Sequence, residues 1–461
     1  MAEHMRAFET KAWGPKNVFE YLGYALFFLC VAFPMARPLL ELKAAMFLLL
    51  VFALIVNVTW TGRIALAPTL SVWLLAIVLT GALFSLQGGA LGAPGAWVYG
   101  FAIYVVWILI HSLILHGIKP AHITRLYWIA IGATIFIALN GLLFVLSQLF
   151  LSEPIDLAGL LGWNVDDDVQ GYGASGGYIK INVFGINSMP FLVPMAVGAI
   201  AMRKQLRDNS GPASTAASWI ALILGLLFVL IAGRRALILV TLVSPLLLAP
   251  FLLAARRSAT AKHRGLLAIL ICVGGLVFTI AAYLNELAGD PFSIVQIVLS
   301  GFEFSSSDES ESGRREQFFA LFNGWLDRPL TGWGLGASAG MYGSIRSVEY
   351  PWAYELYYFA LLYQVGLIGS AVYLGFVAWI YWMGIRIVQS RHSLGTFMVP
   401  FLVGMTAFLI ASGTNPYLPR FDGLWVFLLP LACINLWLHS NAISPVDATP
   451  SYTQAPQRSS P

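Results

Sequence analysis

The chain has 461 residues, 59% of them hydrophobic and only 10% charged, with a formal net charge of +4 and a mean hydropathy of +0.78. Soluble domains carry roughly 25% charged residues, so this composition excludes an ordinary soluble enzyme and places the chain in lipid. The charge is small and no Lys/Arg cluster interleaves with aromatics, which excludes a nucleic-acid groove; the three cysteines, Cys30, Cys272 and Cys433, each lie in an apolar run and form neither a disulfide framework nor a CxxC metal pair.

Apolar stretches long enough to cross about 30 Å of hydrocarbon fall at 19–36, 43–60, 64–86, 96–116, 126–151, 184–202, 216–233, 236–254, 265–284, 355–382, 396–412 and 422–440. They predict an all-α polytopic membrane protein of about 12 transmembrane helices, the short sixth and eleventh being the weakest. The first run follows an N-terminal segment, 1–18, and leads into further spans rather than a small-residue cleavage site, so it reads as a signal anchor.

Two long polar connections interrupt the spans. The first, 152–183, holds Asp166, Asp167, Asp168 and a Gly-rich GYGASGG; the second, 285–354, holds SSSDESES and is expected to contain short helices. The tail, 441–461, is rich in Pro, Ser and Thr without apolar periodicity and reads as disordered. With the N-terminus in the cytoplasm, RKQLR at 203–207, RRSATAKHR at 256–264, Lys119, Arg125, Arg386 and Arg391 all fall inside. That puts roughly 16 of the 26 basic residues on the cytoplasmic side and leaves both long connections external, with the C-terminus also inside.

Arginines on the disfavoured face ask for a reason. Arg234 and Arg235 form a polar turn between spans seven and eight in IAGRRALILV, either as interfacial anchors or as ligands for an anion. Arg314 and Arg315 open SGRREQFFALFNGWLDRPLTGWGLG, whose Phe318, Phe319, Leu321, Phe322, Trp325 and Leu326 recur at helical spacing and predict an external helix at the membrane surface. The GWGLG that follows is no nucleotide loop, because no strand precedes it; tight turning and close backbone approach are what its glycines offer.

Glu355 sits at the outer entrance of the tenth span in EYPWAYELYYFALLYQVGLIG, among Trp352, Tyr354, Tyr357 and Tyr358. A partly desolvated carboxylate there serves either as a general base or as a counter-ion to Arg314 or Arg235. The aromatics are an interfacial belt or a sugar-stacking platform. None of the seven histidines lies on an external loop in this topology and none has metal-ligand spacing; the aspartate trio reads as a solvated loop before a cation site. No metal and no cofactor is expected.

The order AGRRAL, then SGRR…RPLTGWGLG, then E..YY..LLYQVGLIG resembles the Wzy-type polysaccharide polymerase and O-antigen ligase superfamily of bacterial inner membranes. By motif the resemblance covers roughly residues 220–380. It implies a metal-independent glycosyltransferase of the inner membrane with a periplasmic site, acting on a glycan linked to undecaprenyl pyrophosphate, with membrane lipids around it and a flippase and a chain-length regulator as partners. Matched by motif, Arg235 and Arg314 would hold the donor pyrophosphate, Arg234 and Arg315 would assist, Glu355 would act on the acceptor hydroxyl, and Trp352, Tyr354 and Tyr358 would line the sugar site. Ligases of the superfamily carry a His-Asn pair near this point, where this chain has Glu355; that departure favours the polymerase over the ligase and removes a histidine base. A transporter remains the alternative from another class and would show ionisable groups near the midplane, whereas the sequence places its charges at the ends of spans, with Asn140, Gln148 and Asn187 the main polar residues within or near them. A structural scaffold would leave the external arginines unexplained.

Overall fold

The computed structural model describes residues 15–34, 37–61, 65–150, 171–175, 178–203, 206, 213–255, 309–343, 348–390 and 392–443. These residues are almost wholly helical. In chain order they form α1 (Pro15–Ala32), α2 (Arg37–Thr61), α3 (Pro68–Ala90), a π-helix (Ala96–Val106) continuing into α4 (Trp107–Gly117), α5 (Pro120–Phe150), α6 (Met189–Ala201), α7 (Ala213–Ile231), α8 (Arg235–Ala255), α9 (Glu309–Asp327), α10 (Tyr357–Gln389), α11 (Gly395–Ser412) and α12 (Trp425–Ile443). One departure from the all-α expectation is a small antiparallel hairpin, β1 (Gly171–Ser175) with β2 (Tyr178–Asn182), in the first long connection.

Seven of these helical stretches are long and apolar enough to cross a membrane, and four shorter apolar helices, Glu20–Ala32, Ile186–Ala201, Thr215–Ile231 and Trp425–Ser440, accompany them. The apolar run 265–284, the aspartate trio, the first half of the acidic run (305–308) and most of the tail lie outside the described residues, while Glu309–Ser312 of the acidic run open α9. The bundle therefore carries a helix at every other sequence-predicted span, while the expected count of twelve crossings stays with the sequence.

Length misleads about position in this bundle. The two short spans, α6 and α11, lie at its centre: every residue from Met189 to Ala201 is buried, and 83% of the α11 window is buried against 22% for α2. Small residues allow the contact, since a Cβ on Gly198 would lie 2.8 Å from the Cα of Pro400 and one on Gly404 would lie 2.7 Å from the carbonyl oxygen of Phe191. Helices shielded from lipid by their neighbours have no need of a full hydrophobic length, and close backbone approach at Gly replaces the hydrophobic effect as the driving contact. Pro194 in α6 and Pro400 in α11 sit inside these helices, tolerated because surrounding helices satisfy the freed backbone groups.

The loop after α9 is built into the bundle. Helix α10 is broken at Gly366, whose φ of 60° and ψ of −167° no side chain adopts comfortably. The break frees backbone groups on both sides, and the RPLTGWGLG segment bonds them: Trp333 N donates to the Tyr363 carbonyl at 3.0 Å, Gly334 N to Gln364 at 2.7 Å, while Leu367 N and Ile368 N donate to Pro329 at 2.9 Å and Leu330 at 3.0 Å. The same loop bonds α3 and the start of the π-helix through Leu335 N to Phe84 O at 2.9 Å and Gly95 N to Gly336 O at 3.1 Å. Gly332, Gly334 and Gly336 all have positive φ, and a Cβ on Gly334 would overlap the backbone of Gly88. The close-approach reading of the GWGLG glycines holds.

Two charges at the ends of spans are buried in the bundle. Lys43, at the start of the sequence-predicted second span, and Asp422, at the start of the last, form a fully buried ion pair at 2.7 Å with side chains 0% and 1% exposed. Lys43 Nζ also donates to the carbonyl of Phe33 at 3.0 Å, so α1, α2 and the turn before α12 are joined at one point. Asn435, another polar residue inside the last helix, receives Ala67 N and donates to Ala65 O, both at 2.9 Å, and thereby caps the entrance to α3.

Two outcomes follow from these contacts. Gly334→Ala and Gly366→Ala are each expected to lower stability by more than about 2 kcal/mol, from left-handed strain plus backbone overlap, measured as the melting temperature in detergent. Gly132→Ala, with nothing within 4 Å, should leave it unchanged. Asp422→Asn removes the carboxylate from beside a buried ammonium and should cost about 3–5 kcal/mol, whereas Lys43→Met combined with Asp422→Leu should fall within about 1 kcal/mol of the parent; a double variant as unstable as the single one would show that the pair is more than a structural pin.

Candidate functional site

Glu355 lies in the short extended segment just before α10, and its neighbours fix it from both sides. The Tyr354 ring is buried at 2% exposure and its hydroxyl accepts a hydrogen bond from Ala339 N at 2.6 Å, tying the segment to the loop that α10 itself holds. Burial pushes the Tyr354 phenol up, so it stays protonated and structural. The backbone N–H of Glu355 donates to Gln317 Oε1 at 2.9 Å, which fastens the segment to α9.

Arg314 and Gln317 lie three residues apart on α9 and so share a face of that helix. From it, Arg314 Nε donates to Glu355 Oε2 at 2.6 Å; the two side chains are 35% and 20% exposed. Of the two arginines considered as partners for this carboxylate, Arg314 is found beside it, and the side chain of the other, Arg235, lies outside the described residues. A charge-assisted bond of this length in a half-buried position is stronger than a solvated surface pair, yet one flank of each group remains open to solvent. Arg315, one position along, is exposed.

The α9 helix does carry the expected aromatic face. Phe318 stacks on Phe322 with centroids 5.7 Å apart and meets Phe359 of α10 edge-on at 4.8 Å, while Phe319 and Leu326 remain exposed at 54% and 53%. An exposed apolar edge on a helix packed at the end of the bundle suits the membrane surface.

Arg234 stands at a separate station. It sits in the turn between α7 and α8, made possible by Gly233 at a φ of 65°, and its Nη1 donates to Asn187 Oδ1 at 3.3 Å. Arg235 is the first residue of α8, and its side chain lies outside the described residues. Both α8 and α9 pack on α10, so the two arginine-bearing elements share that helix as their common neighbour.

The aromatics divide into different jobs. Trp352 lies under the turn at Gly95, where a Cβ would come within 2.5 Å of its ring, and it contacts Tyr99 with ring centroids 6.5 Å apart. Tyr358 is 40% exposed and donates to the Leu409 carbonyl at 2.5 Å. Tyr357, buried, shares a hydrogen bond with Tyr104 at 3.1 Å between hydroxyls. Tyr354 and Trp352 thus support the segment, and Tyr358 is the one of the three that faces outward from the bundle.

Directly below Tyr357 and Tyr358 opens a groove of about 330 Å³ between α3, the π-helix, α4 and α10–α12, walled by Leu, Ile and Phe side chains. Its polar groups are few: the hydroxyls of Tyr104, Tyr357, Tyr358, Ser370 and Tyr373 and the His111 imidazole, the Tyr373 hydroxyl being buried with no hydrogen-bond partner among the described residues. Sequence reading missed this groove and did not single out Tyr104 or Tyr373, which lie inside apolar runs. It also missed Gln317, for which the i, i+3 spacing from Arg314 was the available signal.

Chemically the region holds a guanidinium paired with a carboxylate, and an apolar groove whose lining includes Tyr357 and Tyr358, two and three residues beyond that carboxylate. Among the described residues no group of three or more His, Cys, Asp or Glu side chains is placed to hold a metal ion. No protein-family model matches the chain, and no curated protein matches it.

Proposed function

We propose that this chain is a glycosyl-transferring polymerase of the bacterial inner membrane, acting at the periplasmic face on a glycan carried by undecaprenyl pyrophosphate. The observation that carries the reading is the Arg314–Glu355 ion pair, whose carboxylate lies two residues before Tyr357 in the lining of the apolar groove. An amphiphilic donor needs a cation for its phosphates and an apolar channel for its lipid, and the same stretch of chain, Glu355 to Tyr358, contributes to both. The motif order around AGRRAL, SGRR and E..YY..GLIG supports the same reading, as does the positive-inside balance that puts Arg314 and Glu355 outside and both termini in the cytoplasm.

In this mechanism the acceptor sugar hydroxyl attacks the anomeric carbon of the donor glycan. A carbon–oxygen bond forms there as the bond to the pyrophosphate oxygen breaks; the hydroxyl proton passes to Glu355 and the polyprenyl pyrophosphate departs with its charge held by Arg314 and Arg235, assisted by Arg234 and Arg315. The pair at 2.6 Å then describes a resting state. A pyrophosphate offers Arg314 more charge than one carboxylate does, so donor binding exchanges the guanidinium from Glu355 to phosphate. The exchange frees the carboxylate as a base only once a donor is present.

The exchange has a sign that distinguishes it from simple loss of a residue. Glu355→Gln removes the competing carboxylate and should bind inorganic pyrophosphate several-fold more tightly by calorimetry, while product formation from purified lipid-linked repeat units in proteoliposomes falls about 10²–10⁴-fold. Arg314→Ala should lose pyrophosphate binding and lower turnover by about 10²–10³-fold. A parent that makes no ladder of lipid-linked products but glycosylates added lipid A core would replace polymerisation with ligation, and a parent active in neither assay but moving lipid-linked glycan across the bilayer would replace both with transport.

A further inference from the structure

The end of the bundle remote from Glu355 carries a second opening. The π-helix and α4 run from Tyr99, beside Trp352, to Gly117, and the residues that follow gather around Glu20 of α1. Lys119 Nζ lies 3.4 Å and His122 Nε2 lies 3.3 Å from Glu20 Oε1, and Arg125 Nη1 lies 3.3 Å from Oε2. Arg125 also donates to the Tyr24 hydroxyl at 3.1 Å. One carboxylate facing a lysine and an arginine leaves net positive charge even with His122 neutral, and the Lys119 and Arg125 side chains are 70% and 54% exposed.

Behind this rim a crevice of about 170 Å³ enters the bundle between α1, α2, α4, α5 and α12. Its walls are apolar, with Phe27, Leu54, Ile114 and Leu126 among them, and it reaches Cys30, ten residues beyond Glu20 along α1, or roughly 15 Å at 1.5 Å per residue. Gly23 borders the crevice, and a Cβ placed there would meet nothing within 4 Å. Glycine weakens a helix interior, and here no close neighbour requires it. Its effect is to leave the crevice wide. Protein interiors are otherwise close-packed, so an open apolar slot within the bilayer takes up apolar matter from around it.

The rim closes the choice of occupant. Lys119 falls between two helices long and apolar enough to cross a membrane, Ala96–Gly117 and Pro120–Ser147; a turn between two such helices meets the headgroup layer, where basic residues favour anionic lipids. We propose that this crevice is a binding site for one anionic phospholipid, with an acyl chain along Gly23 and its phosphate on Lys119 and Arg125. The site stands independently of the polymerase reading, since it shares neither Arg314 nor Glu355.

The test is native mass spectrometry of the full-length protein in mild detergent, titrated with phosphatidylglycerol or phosphatidylcholine of identical chains. The parent should retain one phosphatidylglycerol with a preference of about tenfold, consistent with two basic residues near the headgroup. Lys119→Gln with Arg125→Gln should reduce that preference to about twofold or less without touching the crevice, and Gly23→Phe should abolish retention of both lipids while leaving lipid-free melting unchanged. Should Gly23→Phe not fold, the charge variants decide. Equal retention of the two lipids by the parent, undiminished retention in Gly23→Phe, or competition by soluble glycerol phosphate as strong as by the lipid would each overturn the proposal, leaving an adventitious lipid only.

Discussion

A helix interrupted inside a membrane protein must have its freed amides and carbonyls bonded by other protein backbone, because lipid offers no partner. At Gly366 that requirement is met by residues 329–336, and the surroundings of Glu355 hang from this exchange of hydrogen bonds. It holds the loop down against α3 and the π-helix, brings Ala339 under Tyr354, and lays α9 along the first turns of α10. Arg314 and Glu355 are 41 residues apart in sequence, and their meeting depends on a backbone arrangement neither of them touches. The glycines at 332, 334 and 336 are what permit it, each with a positive φ at a point where two chains nearly touch.

Much of the helical layout was legible because a span announces itself by length and composition alone. What the sequence concealed was set by packing. The sixth and eleventh spans looked weakest because they are short, and they are short because neighbours shield them from lipid. The break in α10 was hidden inside an apolar run, YQVGLIG, that scores as uninterrupted helix. Lys43 and Asp422 each stand at the end of an apolar run with no local sign of burial; only a partner 379 residues away makes their burial tolerable, and no local pattern encodes that.

The site was legible to a different degree. The arginines expected on the outer face stood out because basic charge there is disfavoured, and Glu355 stood out because a carboxylate among aromatics at the entrance of a span is partly desolvated and needs a reason. Which arginine meets Glu355, and that Gln317 holds its backbone, are facts of how α9 docks on α10. Trp352 and Tyr354 resembled substrate-facing aromatics in the sequence, but their rings are spent on Gly95, Tyr99 and Ala339. The apolar groove had no sequence signature, since a lining of Leu, Ile and Tyr in a membrane protein looks the same as a packed interface.

The pairing of α6 with α11 bears on how the protein is made. Chain emerges from the ribosome in order, and Met189 is inserted some two hundred residues before Gly395. Until α11 arrives, the innermost face of α6 has only lipid or an insertion factor to rest against, and a longer delay, 379 residues, separates Lys43 from Asp422. The bundle therefore closes from its centre outward only after the last two helices have been synthesised. A chain cut short before residue 395 would lack the central contact and one half of the buried pair, and quality-control proteases would meet it as an unfinished membrane protein.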